Sequence, residues 1–144
     1  MRFDGRWEEC KDGVVRPLLL AEIQAESGEW HGFEMLVDTG ADRTVLSADV
    51  WKSLSLRTSE PETKLGGIGG LIDAVRLRVI LAFARNGGQM VIFRAEVAAC
   101  ADDQLLDMSV LGRDIIDMFT LVADREGDVL TLLGGNHSYS IRSK

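Results

Sequence analysis

Hydrophobic and polar residues alternate along short stretches of the chain, a pattern typical of strands that bury one face. The alternation is clearest over Val75–Val79, where apolar residues occupy every second position. Further extended segments are predicted from β-branched and apolar runs bounded by turn residues. They cover residues 14–23, 31–37, 44–46, 90–99 and 120–133. The pattern therefore predicts a protein built mostly of short strands.

Turn residues and two short helical patterns separate these strands. An Asn-Gly pair within Arg85–Gln89 supplies the positive φ that a tight hairpin turn needs. A second hairpin is predicted around Arg125–Asp128. Residues 47–54 are predicted to form a short helix with Ser47 as its N-cap, and residues 114–119 to form another.

Size and charge exclude several classes of function. The 144 residues fit one domain, and 46% hydrophobic with 27% charged residues is an ordinary globular composition. A net charge of −7 disfavours binding to nucleic acid or to an anionic membrane, because both need a basic surface. The sequence has no apolar run long enough to cross a bilayer, and its start is too polar for a secretory signal. We therefore expect neither a nucleic-acid partner nor a membrane.

Cysteine and histidine are too few to predict a metal site. Cys10 and Cys100 are far apart and form no Cys-x-x-Cys pair, so neither a disulfide framework nor a zinc site is expected. His31 and His137 do not have the spacing of metal ligands. We expect no metal and no cofactor, and the cysteine content favours a cytoplasmic location.

An acidic residue directly follows an apolar strand in the segment Phe33–Ser47. There Asp38, Thr39 and Gly40 form an Asp-Thr-Gly after three apolar residues. A carboxylate at the end of a hydrophobic strand is costly unless it has hydrogen bonds or a partner. Such a short motif alone is also consistent with a capped turn in which Gly40 supplies an unusual φ. A phosphate loop of the sugar-kinase type needs two large domains, for which the chain is too short.

The surroundings of this motif resemble the retropepsins, the aspartic proteases of retroviruses. Glu34–Leu46 is similar to their active-site strand, and Lys64–Ile72 to the tip of their flap. Val110–Ile116 is similar to the segment that opens their C-terminal helix, and Arg16–Leu18 is a fourth, shorter match. The resemblance implies an all-β fold with short helices: a retropepsin-like acid protease barrel, with one half-site per chain, closed as a homodimer.

The resemblance assigns catalysis to Asp38, Thr39 and Gly40. Because the chain has a single Asp-Thr-Gly, a site of this type requires two chains that each give one Asp38. Two close carboxylates share a proton, so one can accept a proton from water while the other protonates the peptide carbonyl. Thr39 is expected to hydrogen-bond to the partner's loop, and Gly40 to let the backbone approach substrate.

Substrate binding is assigned by the same resemblance to two segments. One is the continuation of the active-site loop and the other is the flap, whose glycines permit a tight turn and motion around an apolar tip. The residues are Ala41, Asp42, Arg43, Gly66, Gly67, Ile68 and Gly69. We also expect the positive charge of Arg43 to favour acidic or polar substrate side chains.

Three further residues are expected to support the site. In retropepsins the Arg that follows an apolar-apolar-Gly pairs with the Asp of the active-site loop, which here predicts a pair between Arg113, after Gly112, and Asp42. Arg16 is expected to approach Asp42 of the second subunit. For Arg16 an independent surface charge remains an alternative.

The two ends of the chain depart from the retropepsin pattern. Residues 1–13 have no clear counterpart, so we interpret them as an N-terminal extension before a single domain over residues 14–144. The region after Phe119 is long and includes the apolar run Val129–Leu133. It resembles the hairpin-ended retropepsin-like domains of cellular proteins, so the retroviral dimer interface cannot be carried over.

The expected function is that of an aspartic endopeptidase that acts on polypeptides as a homodimer. A non-catalytic peptide-binding or protein-binding module on the same fold is the alternative, because a fold does not fix a function. The intact Asp-Thr-Gly-Ala favours catalysis, since a binding module has no need of a costly paired carboxylate.

Overall fold

The computed structural model describes residues 1–67, 70–102 and 106–135. Within these residues the chain forms eleven strands and two short helices. In chain order they are β1 (Arg2–Asp4), β2 (Arg6–Glu9), β3 (Val15–Gln24), β4 (Trp30–Val37), β5 (Val45–Leu46), α1 (Ala48–Ser53), β6 (Thr58–Gly67), β7 (Gly70–Ala84), β8 (Met90–Cys100), β9 (Val110–Leu111), α2 (Arg113–Ile116), β10 (Thr120–Asp124) and β11 (Val129–Leu133).

The strands predicted from the alternating pattern are confirmed. In β7 the side chains of Val75, Leu77 and Val79 are buried, while the intervening Arg78 is exposed. The strands that were predicted on either side of Arg85–Gln89 pair as β7 and β8, from Ala74 opposite Cys100 to Ala84 opposite Met90. At this turn the positive φ values fall on Gly87 and Gly88 rather than on the asparagine. The mostly β class therefore follows from the sequence pattern.

Both predicted helices form, but two details of the prediction were wrong. Ser47 stands at the N-cap of α1, yet its side chain makes no capping bond; its hydroxyl lies 3.2 Å from the hydroxyl of Ser109 instead. The second helix, predicted over residues 114–119, covers only Arg113–Ile116. After Ile116 the backbone tightens into turns, because the N–H groups of Met118 and Phe119 donate to the carbonyls three residues earlier, and β10 then begins at Thr120.

The larger sheet closes on itself. Its order is β2-β3-β4-β9-β5-β8-β7-β6, and β3 also pairs with β7 through Glu22 opposite Ala82 and Ile23 opposite Leu81. This extra pairing joins β3, β4, β9, β5, β8 and β7 into a ring, as expected of a small barrel whose interior is filled by side chains. The two strands outside the ring, β2 and β6, extend from β3 and β7.

A smaller sheet of order β1-β11-β10 adds Phe3, Leu130 and Leu132 to the hydrophobic core of the barrel. Phe3 of β1 is fully buried, and its ring makes edge contacts with Phe83 and Phe119 at centroid distances of 5.7 and 5.4 Å. Residues 1–13 thus supply strands to both sheets, β1 to the smaller and β2 to the larger. The boundary of the domain at residue 14 stays a prediction.

The two helices are short, with six residues in α1 and four in α2. In the described part of the chain no helix has the length and apolar character needed to cross a membrane.

Candidate active site

Asp38 is the first residue after β4. That strand runs parallel to β9, with Val37 opposite Leu111, and the Asp38 N–H donates to the Leu111 carbonyl at 3.1 Å. The carboxylate therefore leaves the sheet where two parallel strands end side by side. Its side chain is partly exposed, which is compatible with an ionisable group that must meet water and substrate.

The loop after Asp38 turns tightly around the carboxylate. Oδ1 of Asp38 accepts a hydrogen bond from the Gly40 N–H at 2.8 Å, and the Asp38 carbonyl accepts one from the Ala41 N–H at 3.3 Å. A Cβ on Gly40 would lie 3.1 Å from the same Oδ1. Gly40 is not among the described residues with positive φ, so this position favours glycine for space and not for an unusual φ.

Thr39 is exposed on this loop. Among the contacts of the described residues, its hydroxyl has no hydrogen-bond partner within the chain. The expected contact of Thr39 with a partner's loop stays a prediction.

A second loop, which follows β9, packs against the first. The Arg113 N–H donates to the Ala41 carbonyl at 2.8 Å, and the Asp114 N–H donates to the Asp42 carbonyl at 3.3 Å. A Cβ on Gly112 would lie 2.7 Å from the Thr44 nitrogen and closer still to the carbonyl group of Arg43, so only glycine permits this approach. The start of α2 thus holds the backbone of the Asp38 loop in place.

Sequence reasoning missed a partly buried polar contact between the two loops. The hydroxyl of Thr44 donates to Asp114 at 2.7 Å and accepts from the Gly112 N–H at 3.1 Å. The Thr44 N–H also lies 2.9 Å from both oxygens of the same carboxylate. Thr44 is fully buried, so these bonds satisfy groups that would otherwise be costly. The sequence signal that could have revealed this contact is Asp114, an acidic residue in the first turn of the predicted second helix.

The predicted pair between Arg113 and Asp42 is present. Nη2 of Arg113 contacts Oδ1 of Asp42, and this carboxylate raises the pKa of the guanidinium. Both side chains are exposed in the single chain, 51% for Arg113 and 79% for Asp42, so water screens the pair. Its role in supporting the site or in binding substrate stays a prediction.

Arg16 contacts a different carboxylate in this chain. Its guanidinium donates to both oxygens of Asp12, at 2.7 and 2.5 Å, in the two-bond geometry that arginine and carboxylates favour. This contact lowers the pKa of Asp12 to about 2 and raises that of Arg16. The expected approach of Arg16 to Asp42 of a second subunit stays a prediction.

The predicted flap corresponds to the hairpin of β6 and β7. Gly66 lies opposite Leu71, Gly67 opposite Gly70, and Gly70 has a φ of 107° that favours glycine. Ile68 and Gly69, the predicted tip, lie outside the described residues.

Ala41 and Arg43 complete the predicted substrate-binding segment. Arg43 is exposed on the loop that leads into β5, and Ala41 is partly exposed. Among the described residues, no three His, Cys, Asp or Glu side chains lie close enough together to hold a metal ion.

Comparison with known proteins agrees with this geometry. The family model described as aspartyl protease matches residues 23–115, while none of the curated proteins matches the chain. The structure is similar to that of the EIAV protease in complex with the inhibitor HBY-793, with 25% identity and a TM-score of 0.52 over 71% of this chain and 86% of that one. It is also similar to a retropepsin-like aspartic protease from Rickettsia conorii, with 18% identity and a TM-score of 0.58 over 92% of this chain and 88% of that one.

These likenesses confirm the predicted fold, which is the retropepsin-like one. The matched family segment spans well over half of the chain and contains both loops of the candidate site, from Asp38 to Asp114. The chain therefore belongs to the aspartyl protease family.

Proposed function

We propose that this protease is an endopeptidase whose active site is completed by a second copy of the chain, with one Asp38 from each. The position of Asp38 carries the proposal. The only Asp-Thr-Gly of the sequence lies at the end of β4, on a partly exposed loop that a second loop holds in place. One such loop offers a single carboxylate, whereas hydrolysis by an acid and a base requires two.

The reaction follows from the proton that two close carboxylates share. When both Asp38 side chains meet, only one ionises readily, so the pair titrates as a unit. The ionised carboxylate takes a proton from a water molecule, whose oxygen attacks the peptide carbonyl carbon. The protonated carboxylate gives its proton to the carbonyl oxygen. The resulting tetrahedral intermediate collapses when a proton moves to the amide nitrogen and the C–N bond breaks.

The contacts within one chain suit this role. The Gly40 N–H that donates to Oδ1 fixes the orientation of the Asp38 carboxylate before substrate arrives. The exposed Thr39 next to it supports the idea that its hydroxyl bonds to the partner's loop. Thr39 would then fix the distance between the two Asp38 carboxylates, as a preorganised pair requires.

The substrate in this proposal is a polypeptide. The hairpin of β6 and β7 would cover it, and the loop with Asp42 and Arg43 would contact its backbone and side chains on the opposite side. Glycines at positions 66, 67 and 70 leave the flap backbone free to approach a peptide closely. The cytoplasmic location that was expected from the cysteine content also stays a prediction.

Peptide cleavage tests the chemistry. Wild type and Asp38→Asn are incubated with a proteome-derived peptide mixture from about pH 4 to about pH 7.5, with and without pepstatin, and new termini are identified by mass spectrometry. We expect internal cleavage by wild type alone. The asparagine can keep the hydrogen bond from Gly40, so its fold serves as the matched control. If a dimeric wild type leaves the mixture uncut, the result favours the alternative of a non-catalytic peptide-binding or protein-binding module.

Mixing the two proteins tests the shared site. If each dimer needs two Asp38 residues, mixed dimers are inactive, and an equal amount of Asp38→Asn lowers the wild-type activity to about half. An equal amount of an unrelated protein is the control. Unchanged activity after full subunit exchange, followed with a fluorescent label, contradicts a site built from two chains.

A further inference from the structure

The outer face of the sheet made by β4, β3, β7 and β8 carries a strip of side chains that the catalytic proposal does not use. Strand register defines this strip, because every second residue of each strand points outward. Glu22, Ala82 and Ile92 lie side by side on β3, β7 and β8. Farther along β7 and β8, Arg78 lies opposite Glu96. We call this face the outer strip.

One end of the outer strip is basic. Arg76, Arg78 and Arg94 lie there together with Glu96, whose carboxylate is 3.6 Å from Arg76, and Glu60 of β6 lies opposite Arg76 in the sheet. Arg78 and Arg94 are exposed, and the ion pairs of the described residues include neither of them. Both line a surface hollow of about 460 Å³. A cluster of three guanidinium groups on one face is notable in a chain of net charge −7.

The other end of the outer strip is apolar. Trp30, Met90 and Ile92 have exposed fractions of 40%, 41% and 54%, and together with Ala82 and Glu22 they line a hollow of about 290 Å³. Isolated exposed apolar residues are common on protein surfaces. Several that surround one hollow are typical of a surface that binds another molecule.

The dimensions of the strip match an extended peptide. From Arg76 to Ala84, β7 covers nine residues, a length of about 27 Å at the usual rise of a strand. An extended peptide of roughly eight residues has the same length. The basic end is also the end nearer to Gly70, where β7 leaves the flap. A polypeptide that is held by the flap and continues along this face would meet the arginines before the apolar hollow.

We propose that the outer strip docks an acidic and apolar segment of the protein substrate, away from the bond that is cut. Acidic side chains of the segment contact Arg78 and Arg94, and aliphatic or aromatic ones fill the hollow beside Trp30 and Ile92. The assignment to substrate rests on the proposed endopeptidase function. A lipid surface fits less well, because Glu22 and Glu96 lie within the strip and the chain as a whole is acidic.

Peptide selection tests the docking site without catalysis. A display library of random twelve-residue peptides is selected against the full-length Asp38→Asn chain. We expect enrichment of peptides with Asp or Glu next to aliphatic or aromatic residues. The affinity of a selected peptide falls about tenfold or more in the double variant Arg78→Glu with Arg94→Glu, and less than about twofold in Arg125→Glu. Arg125 is an exposed arginine of the turn between β10 and β11, so it controls for a charge reversal outside the outer strip.

Folding and the apolar end need their own controls. Thermal melting of the double variant is expected to match that of wild type, because both arginines are exposed. Ile92→Ser tests the apolar end with the charges intact, and it is also expected to weaken the peptide. No enrichment, or enrichment that neither variant reduces, overturns the proposal. Binding to phosphatidylserine vesicles that is lost in the double variant, without peptide enrichment, assigns the strip to a membrane and overturns it as well.

Cleavage then separates the docking proposal from the endopeptidase proposal. A selected segment is joined by a flexible linker to a short peptide that wild type cuts. We expect a lower KM for the joined peptide in wild type but not in the double variant, while both proteins cut the short peptide equally. If wild type has equal KM values for the short and the joined peptide, the docking proposal is contradicted and the endopeptidase proposal is unaffected. If the chain binds the peptide but cuts nothing, the endopeptidase proposal is contradicted. The outer strip is then a peptide-binding site whose ligand is not a substrate, so the assignment to substrate fails as well.

Discussion

Gly112 and Arg43 touch through their backbones, at the point where the two loops of the active site cross. Gly112 precedes α2, and Arg43 precedes β5. A Cβ on Gly112 would run into the Arg43 carbonyl group and lie 2.7 Å from the Thr44 nitrogen. The φ of Gly112 is −95°, which any residue adopts, so the requirement for glycine comes from space alone. The position of Asp38 thus depends on a contact made by a residue far from it in sequence.

We expect Gly112→Ala to destabilise the fold and to lower activity. The added methyl group must push two backbone segments apart, and overpacking of this kind costs about 1–3 kcal/mol or more. Urea unfolding measures the loss. Gly66→Ala is the matched control, because there a Cβ meets Leu71 at 3.7 Å, an ordinary contact. Equal stability of the two variants would contradict the close approach of the loops.

The hydroxyl of Thr44 is expected to stabilise the same junction. Thr44→Val keeps the shape of the side chain but removes one donor and one acceptor, which leaves the Gly112 N–H and an oxygen of Asp114 without that partner. We expect a loss of about 1–3 kcal/mol in the free energy of unfolding. Thr44→Ser keeps the hydroxyl and should lose less. The interpretation is wrong if the serine variant is the less stable of the two.

Local patterns predicted the elements and the position of the key carboxylate. Two of these patterns are the period of two over Val75–Val79 and the glycines of the turn at residues 87–88. Each spans only a few residues, so it can be recognised in the sequence. Asp38 was recognisable because a carboxylate directly follows an apolar strand. These features do not depend on knowing which strands pair.

Long-range pairing was not predictable in the same way. Thr44 and Asp114 are 70 residues apart, and nothing near either residue marks it as the partner of the other. The closure of the barrel through Ile23 and Leu81 depends likewise on sheet geometry rather than on a local signal. At Ser47 a long-range contact overrides a local signal. Its position in the sequence favours a helix cap, but the tertiary fold places Ser109 beside its hydroxyl.

Arg43 is expected to influence which peptides are cut. It is exposed on the loop that would contact substrate, so wild type should prefer acidic side chains near the cleaved bond. An exposed ion pair contributes about 0.2–1 kcal/mol, so we expect a preference between about 1.4-fold and about fivefold that falls with added salt. Cleavage profiles of wild type and Arg43→Ala measure it, and Arg57→Ala controls for loss of one exposed arginine. A profile that does not change in Arg43→Ala contradicts this role.

The two cysteines are expected to react at different rates. Cys100 is fully buried, and burial together with nearby Asp102 raises the pKa of its thiol, so little thiolate is present near neutral pH. Cys10 is partly exposed. Iodoacetamide should therefore modify Cys10 in the folded protein and Cys100 only after unfolding in urea, as peptide mapping by mass spectrometry would show. In Cys10→Ser the fast reaction should disappear, and rapid labelling of Cys100 in that folded variant contradicts the buried position.

The pair of Asp12 and Arg16 predicts how stability depends on pH. Hydrogen bonds from Arg16 lower the pKa of Asp12 from 3.8 to about 2 in the folded chain. A carboxyl group whose pKa is lower in the folded state stabilises the fold above its unfolded pKa, and this contribution disappears as the pH falls through the folded pKa. Asp12→Asn should therefore lower the melting temperature at about pH 6, and the difference from wild type should fade between about pH 4 and about pH 2.

The size of this effect is limited by solvent, because both side chains are accessible and salt screens them. We therefore expect a small difference in melting temperature that shrinks further at about 0.5 M salt. Glu9→Gln is the matched control, since Glu9 is an exposed acid of the neighbouring strand β2 and makes no ion pair within the described residues. If Asp12→Asn and Glu9→Gln follow the same curve of melting temperature against pH, Arg16 does not hold Asp12 in solution. Arg16 would then be free to meet a carboxylate of the second subunit, such as Asp42.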